Sequence, residues 1–238
     1  MVNRDQASGV RWTVLAVLLS MGGVAADTDV VPFDATYEVR AHGLKLGEMH
    51  RRLNIEKKQY QFESTLEATG IAAVLNGGRE EEISSGEIVA GKFRPSRYRH
   101  RRTRGKKVTE TVLVFDWSRE QIETTARGQV TRLEAPADAV DKLVYQLTLS
   151  HDLIRSSDAL NYAIADDGRI KSYRWQRVGN ETLTIRGEQI PTTKLAYSRS
   201  KSARQTTLWC APDYHYVPVK IQYQDGGSIT TATLIRYR

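Results

Sequence analysis

The C-terminal stretch of the sequence decides the fold class. Residues 217–237 read VPVKIQYQDGGSITTATLIRY. Apolar or β-branched residues take every second position on both sides of Asp225-Gly226-Gly227, which is a turn signal. They are Val217, Val219, Ile221 and Tyr223 before the turn, and Ile229, Thr231, Thr233, Ile235 and Tyr237 after it. The pattern predicts an antiparallel hairpin with one buried and one wet face.

The same alternation recurs from the start of the chain. It covers Phe33 to Val39, Met49 to Ile55, Tyr60 to Ala68, Leu113 to Trp117 and Leu160 to Ile164. Roughly a dozen strands at this spacing indicate a sandwich or barrel, and a sheet that wide curls, splits or closes. We therefore predict an all-β, mainly antiparallel fold, a single large curled or closed β-barrel.

One segment changes to a helical period. Residues 138–155 place Val140, Leu143, Val144, Leu147 and Ile154 on one face. Asp138 is the expected cap, and Asp141 adds negative charge near the helix start. We predict an amphipathic helix that plugs or covers one opening of the barrel. A second, shorter helix is predicted at residues 71–75.

The first 26 residues have the features of an export signal. Arg4 and Arg11 precede a short apolar run, and small residues lead to a cleavage point between Ala26 and Asp27. The run is too short to span a bilayer. We expect residues 1–26 to be a signal peptide, residues 27–238 to form a single barrel-like domain, and the mature protein to be periplasmic and at most peripheral to a membrane.

A basic cluster is the strongest local signal in a chain of net charge +7. Its members are Arg97, Arg99, Arg101, Arg102, Arg104, Lys106 and Lys107. Gly105 predicts a hairpin turn within this cluster. Two interpretations stay open: a solvated strand edge whose charges deter aggregation, or a contact site for anionic lipid or cell-wall polymer. An exported protein is not expected to meet nucleic acid.

Aromatic residues give a second signal. Trp175, Trp209, Tyr162 and Tyr197 are candidates for a barrel lumen that holds a lipid or another amphiphile. The alternative is that they pack in an ordinary core.

The sequence supplies no recognisable catalytic, cofactor or metal site. It contains no G-x-S-x-G, H-E-x-x-H or C-x-x-C motif, no P-loop and no dinucleotide fingerprint. Cys210, Asp213 and His215 lie close together in the chain, but catalytic partners usually converge from separate elements. We predict no catalytic residue, no cofactor and no metal, and a buried Cys210 that acts as a small apolar side chain. A single cysteine also excludes a disulfide within the monomer.

Several short segments together resemble a known family. They are Pro32 to Tyr37, Gly86, Gly91 to Tyr98, Phe115-Asp116-Trp117, Asp141-Lys142-Leu143, Trp209 to Asp213 and Val217 to Ile221. In order and spacing they resemble the bacterial exported family of unknown function DUF3108 across nearly the whole mature chain. More distantly, the chain is similar to exported spiral β-barrel envelope proteins and to open-barrel carriers of the LolA/LolB type. The resemblance implies an exported, β-rich protein without an established activity. In that family the residue at the position of Cys210 more often looks aromatic. This resemblance argues against a catalytic thiol.

Three functions follow as hypotheses. The first is a non-enzymatic envelope protein that holds an amphiphile in its barrel. The second is an interaction scaffold with a filled barrel, whose basic hairpin at residues 97–107 contacts a protein partner or an anionic surface. The third is a hydrolase of unrecognised type. Unfilled volume lined by apolar and aromatic side chains favours the first over the second. The sequence does not define the oligomeric state.

Overall fold

The computed structural model describes residues 28–70, 73, 78–198 and 204–238. The predicted signal peptide and its cleavage point between Ala26 and Asp27 lie outside the described residues. So does most of the short helix predicted at residues 71–75.

The described residues form sixteen strands and one α-helix. The strands are β1 (Phe33–Ala41), β2 (Leu44–Glu56), β3 (Gln59–Ala68), β4 (Gly78–Val89), β5 (Lys92–Arg104), β6 (Lys107–Asp116), β7 (Gln121–Ala126), β8 (Gln129–Glu134), β9 (Val140–Asp141), β10 (Asn161–Asp166), β11 (Arg169–Arg174), β12 (Gln176–Ile185), β13 (Glu188–Ser198), β14 (Gln205–Cys210), β15 (Pro218–Asp225) and β16 (Ser228–Tyr237). The helix α1 is Tyr145–Ile154, and a short 3-10 turn covers Pro212–Tyr214. The fold is all-β, as predicted.

Thirteen strands form one antiparallel sheet that curls on itself. The order is β12-β13-β14-β15-β16-β1-β2-β3-β4-β5-β6-β7-β8. Among the described residues β8 and β12 do not pair, so the barrel is curled with two edges. A smaller sheet, β11-β10-β9, lies between them in sequence. Its hairpin turn reaches the β8 edge, where a side chain added at Gly168 would lie 3.6 Å from Thr131.

Bulges bend the large sheet and set which side chains face inward. The register shifts between Ser85 and Gly86, where a Cβ would collide with the carbonyl oxygen of Arg94 on β5. A second shift lies between Thr36 and Tyr37, opposite β16. Because one extra residue reverses the faces beyond it, the inward side chains of β16 are Thr230, Ala232 and Leu234. The predicted inward face was wrong at Ile229, which is 43% exposed, whereas Tyr237, beyond the register shift, packs against the core as predicted.

The helix is shorter than the predicted span of residues 138–155. It begins at Tyr145, because Val140 and Asp141 form strand β9, which pairs in parallel with β10. Asp138 is exposed and caps nothing among the described residues. Asp141 instead closes the turn before the helix: its Oδ1 accepts the backbone N–H groups of Leu143 and Val144, each at 2.8 Å, whereas Val144, at the N-cap position, makes no side-chain capping hydrogen bond. Apolar positions spaced three to four residues apart occur both in this strand and turn and in a first helical turn, so the spacing did not distinguish the two.

The helix fills one end of the curled sheet. Leu147, Leu149 and Leu153 are almost completely buried in the core. Ser150 donates its hydroxyl to the carbonyl oxygen of Tyr216 at 3.2 Å, which ties the helix to the chain entering β15. A helix buried on nearly all sides belongs to the core rather than to the surface. Leu147 therefore faces the barrel interior, as predicted. Within the described part of the chain, none of the helices is both long and apolar enough to cross a membrane.

Candidate binding site

The two ends of the curled sheet differ. At one end, which we call the plugged end, α1 packs with a cluster of aromatic side chains from β1, β3, β5 and β6: Phe33, Tyr60, Phe62, Phe93 and Phe115. The opposite end, which we call the mouth, carries the β1–β2, β5–β6 and β15–β16 turns. Within the described residues both ends have cavities: a smaller one of about 270 Å³ lies at the plugged end, between the β12–β13 turn and the end of β16, and larger ones lie at the mouth.

Two cavities of about 400 Å³ each open at the mouth. The aromatic cavity is lined by Lys142, Tyr145, Asp166, Lys171, Tyr173, Trp175, Tyr197, Arg204, Thr206 and Tyr223. The apolar cavity is lined by Val39, Leu46, Leu66, Ala68, Gly78, Arg79, Glu80, Arg102, Thr103, Arg104 and Thr230. They adjoin across the β15–β16 pair, because Tyr223 of the first is the register partner of Thr230 of the second. Each volume lies in the range of small-molecule sites.

Four aromatic rings build one wall of the aromatic cavity. Tyr145 and Trp175 are inclined by 20° with centroids 6.5 Å apart. Tyr173 stands edge-on to Tyr145 at 5.6 Å and stacks on Tyr197 at 4.5 Å. The helix start, the small sheet and β13 each contribute to this wall, so it forms only when the three elements meet.

Each cation of the aromatic cavity has a carboxylate partner. Lys142 Nζ lies 3.2 Å from Glu82 Oε1. Lys171 Nζ lies 2.5 Å from Asp166 Oδ2. Arg204 Nε lies 2.9 Å from Asp225 Oδ2. The cavity therefore presents donors and acceptors without a large net charge.

A buried carboxylate joins the helix to the barrel wall. Asp141 is fully buried, and Ser84 donates its hydroxyl to Asp141 Oδ2 at 2.5 Å. The Ser84 oxygen lies 3.1 Å from the hydroxyl of Tyr60. Burial raises the pKa of Asp141 to about 6, although its hydrogen bonds to Ser84, Val144 and Leu143 act in the other direction. This side chain connects β4, β9 and the turn before α1.

A second polar chain runs along the inner wall toward the mouth. Tyr98 donates to Glu82 Oε1 at 2.5 Å, and Lys142 Nζ lies 3.4 Å from His100 Nδ1. His100 Nε2 contacts Glu80 Oε1 at 2.7 Å. The hydrogen bond from His100, ahead of the charge of Arg102, lowers the pKa of Glu80 to about 2. Neither polar chain could be predicted from alternation, because polar residues in an alternating strand are expected to face solvent.

The basic cluster runs along β5 to the tip of the β5–β6 hairpin. Arg99 and Arg101 lie 3.8 Å from Glu110 and Glu81, respectively, and Arg102 lies 2.9 Å from Glu80. No ion pair within the described residues involves the other four, which are exposed: Arg97, Arg104, Lys106 and Lys107. The cluster is therefore not a set of seven unpaired cations. The Glu80-Glu81-Glu82 run was visible in the sequence, but only the β4–β5 register brings it beside the arginines.

Three of the four predicted aromatic residues come together. Trp175 and Tyr197 line the aromatic cavity, and Tyr162 packs behind it with its ring centroid 6.2 Å from that of Tyr145. Trp209 lies apart, on the outer face of β14. Its indole N–H donates to Glu181 Oε2 at 2.9 Å. The ammonium groups of Lys194 and Lys220 cover its ring at 5.0 and 4.5 Å from the centroid, which is cation–π geometry.

The neighbouring residues Cys210, Asp213 and His215 are not brought together. Cys210 is completely buried, and burial raises the pKa of its thiol. Asp213 and His215 are exposed in the 3-10 turn and directly after it. Over residues 28–70, 73, 78–198 and 204–238, no group of three or more His, Cys, Asp or Glu side chains could hold a metal ion.

Comparison with known proteins identifies the family. The sequence model described as "Protein of unknown function (DUF3108)" matches residues 33–234. The chain belongs to the DUF3108 family. The match runs from β1 into β16, so the DUF3108 region includes the curled sheet, the helix and both cavities.

A solved structure shares the fold of this DUF3108 chain. It is a β-barrel-like protein of the domain of unknown function DUF1849 from Brucella abortus, with a TM-score of 0.58 and 10% sequence identity. The alignment covers 89% of this chain and 98% of the other. At that identity the likeness concerns the fold alone. No curated protein matches the sequence.

Proposed function

We propose that this DUF3108 protein is an exported, non-enzymatic protein of the cell envelope that holds an amphiphile in the mouth of its barrel. The observation that carries the proposal is the volume that the described residues leave unfilled at the mouth, with aromatic side chains in one cavity and aliphatic side chains in the other. Val39, Leu46 and Leu66 offer an acyl chain an apolar surface beside the polar groups of the aromatic cavity. An amphiphile needs both kinds of surface at once.

The periplasm is part of the proposal and rests on the leader sequence. An apolar run after Arg4 and Arg11 ends in small residues before Asp27. In the periplasm, lipids and lipid-linked precursors are the amphiphiles a protein meets.

Native mass spectrometry tests the proposal. The full chain would be expressed with its leader, purified from the periplasm and sprayed under gentle conditions. We expect an added mass that a membrane-lipid extract reproduces. Thr230→Trp should lower its occupancy, because Thr230 points into the apolar cavity. Thr231→Trp, one residue along on the opposite face, is the matched control and should retain the ligand. An empty parent protein, or equal loss in both variants, would overturn the proposal.

A second candidate function rests on the basic hairpin. Arg97, Arg104, Lys106 and Lys107 are exposed and have no ion-pair partner in the described part of the chain. Each cation held near an anionic membrane contributes about 1 kcal/mol, so four would give about 4 kcal/mol, a roughly millimolar attachment. We propose transient docking on an anionic envelope surface.

Sedimentation with liposomes tests the docking. Changing the four unpaired cations to Gln should abolish binding to anionic vesicles at low salt. Changing the paired Arg99, Arg101 and Arg102 to Gln should have a smaller effect. Binding that ignores salt, or that survives in the first variant, would favour the interpretation of the cluster as a solvated edge.

A further inference from the structure

We propose that the aromatic cavity binds a saccharide, and that the amphiphile in the lumen is a glycolipid or another sugar-headed molecule. The inference rests on the proposed function and names the head group that the aromatic cavity selects. Three independent features of its wall carry it.

The first feature is the aromatic surface. Tyr173 and Tyr197 stack on each other at 4.5 Å, with Trp175 at 5.6 Å from Tyr197. Amphipathic rings of this kind combine a flat apolar face with a polar edge. The C–H face of a pyranose ring is also flat and apolar, while its hydroxyls project around the rim. A sugar therefore matches a ring wall with polar groups beside it.

The second feature is the charge balance. Lys142, Lys171 and Arg204 face the cavity, and each is held by a carboxylate of the pairs already described. An anionic head group would be repelled by these carboxylates, and a cationic one would be repelled by the cations. Sugar hydroxyls both donate and accept hydrogen bonds. They can accept from the ammonium and guanidinium groups and donate to the carboxylates without breaking the pairs.

The third feature is an unused donor. The indole Nε1 of Trp175 is buried and has no hydrogen-bond partner among the described residues. Buried polar groups are nearly always satisfied, so each exception calls for an explanation. Trp175 lines the aromatic cavity, and a ligand oxygen there would supply the missing acceptor. The apolar cavity, adjoining at Tyr223 and Thr230, would then take the hydrocarbon chain.

Titration calorimetry with three probes that share one octyl chain tests the inference. They are octyl glucoside, octyl sulfate and octyltrimethylammonium, each below its micellar concentration, added to the full mature protein. We expect octyl glucoside to bind about tenfold more tightly than the charged probes, the effect of one or two additional satisfied buried hydrogen bonds.

Matched tryptophan variants locate the head group. Trp175→Phe removes the unused donor and retains an aromatic ring, and it should reduce the affinity for octyl glucoside while leaving octyltrimethylammonium, which has no hydrogen-bond acceptor, unchanged. Trp209→Phe, on the outer face, is the control and should bind like the parent. Lys171→Gln, at a partly exposed position, tests the donor set separately should Trp175→Phe fail to fold.

The outcomes separate the two proposals. Equal binding of all three probes, unaffected by Trp175→Phe and Lys171→Gln, would overturn the saccharide inference and leave amphiphile binding intact. Failure of every probe to bind would overturn both. Preference for octyl glucoside, lost in either variant and kept in Trp209→Phe, would support both.

Discussion

Replacing Asp141 by asparagine should remove a pH-dependent loss of stability. Burial raises the pKa of this carboxyl from 3.8 to about 6. The folded state therefore binds a proton more tightly than the unfolded state, and stability falls as the pH rises from about 4 to 6. A shift of roughly two units corresponds to about 3 kcal/mol, since one unit is about 1.4 kcal/mol.

The geometry of the site explains why asparagine is the informative replacement. In the variant, the asparagine side-chain oxygen can still accept hydrogen bonds from the N–H groups of Leu143 and Val144. Its NH₂ group can donate to the Ser84 oxygen, which in the parent lies 2.5 Å from the Asp141 carboxylate. The hydrogen bonds remain and the buried charge is gone. At pH 7 we therefore expect Asp141→Asn to match or exceed the parent in stability. Asp141→Ala leaves two buried N–H groups without an acceptor, at about 1–3 kcal/mol each, and should be destabilised at every pH.

Urea denaturation followed by circular dichroism at pH 4, 5, 6 and 7 measures the effect. The quantity of interest is the free energy of unfolding of the parent minus that of Asp141→Asn, because other titrating groups cancel in the difference. It should fall by about 3 kcal/mol across this range. A difference that stays flat, or an alanine variant as stable as the parent, would refute the assignment of Asp141 as a buried carboxylate that connects the turn before the helix to β4.

Four further outcomes are expected. Leu147→Ala should lower the free energy of unfolding by about 2–5 kcal/mol, because the side chain is 2% exposed in the core; a loss below about 0.5 kcal/mol would remove the helix from the core. Glu80→Gln should destabilise the protein at neutral pH, and the penalty should vanish as the pH falls from 4.5 toward 2, because the lowered pKa of Glu80 stabilises the fold only while the group is ionised. N-terminal sequencing of the periplasmic form should begin at Asp27, and Cys210→Ala should complement a deletion as well as the parent does.

Alternation made most of the sheet predictable, since one buried face leaves a period of two in the sequence. It failed on β16, where the bulge opposite Thr36 and Tyr37 moves the inward face from Ile229 to Thr230. The position of a bulge depends on how two strands pair, so the sequence of either strand alone does not show it. The predicted start of the helix was wrong for a related reason. Val140 would be buried in a strand or in a helix, so its hydrophobicity could not distinguish the two.

The sequence predicted some aromatic residues of the cavity, but it did not predict which charged side chains would contact one another there. Trp175 and Tyr197 were recognised as candidate lining residues, yet the charged partners arrive from strands far apart in the chain. Glu82 and Lys142 are a case of this, because only the sheet register and the path of β9 place them 3.2 Å apart. Propensity and spacing carry no information about contacts of that kind.

The two edges of the curled sheet have a consequence for the size of the lumen. In a closed barrel, strand number and stagger fix the diameter, and any widening must break a seam of backbone hydrogen bonds. Within the described residues no such seam joins β8 to β12. The distance between these two edges can therefore differ between ligands of different size without breaking any backbone ladder from β12 to β8.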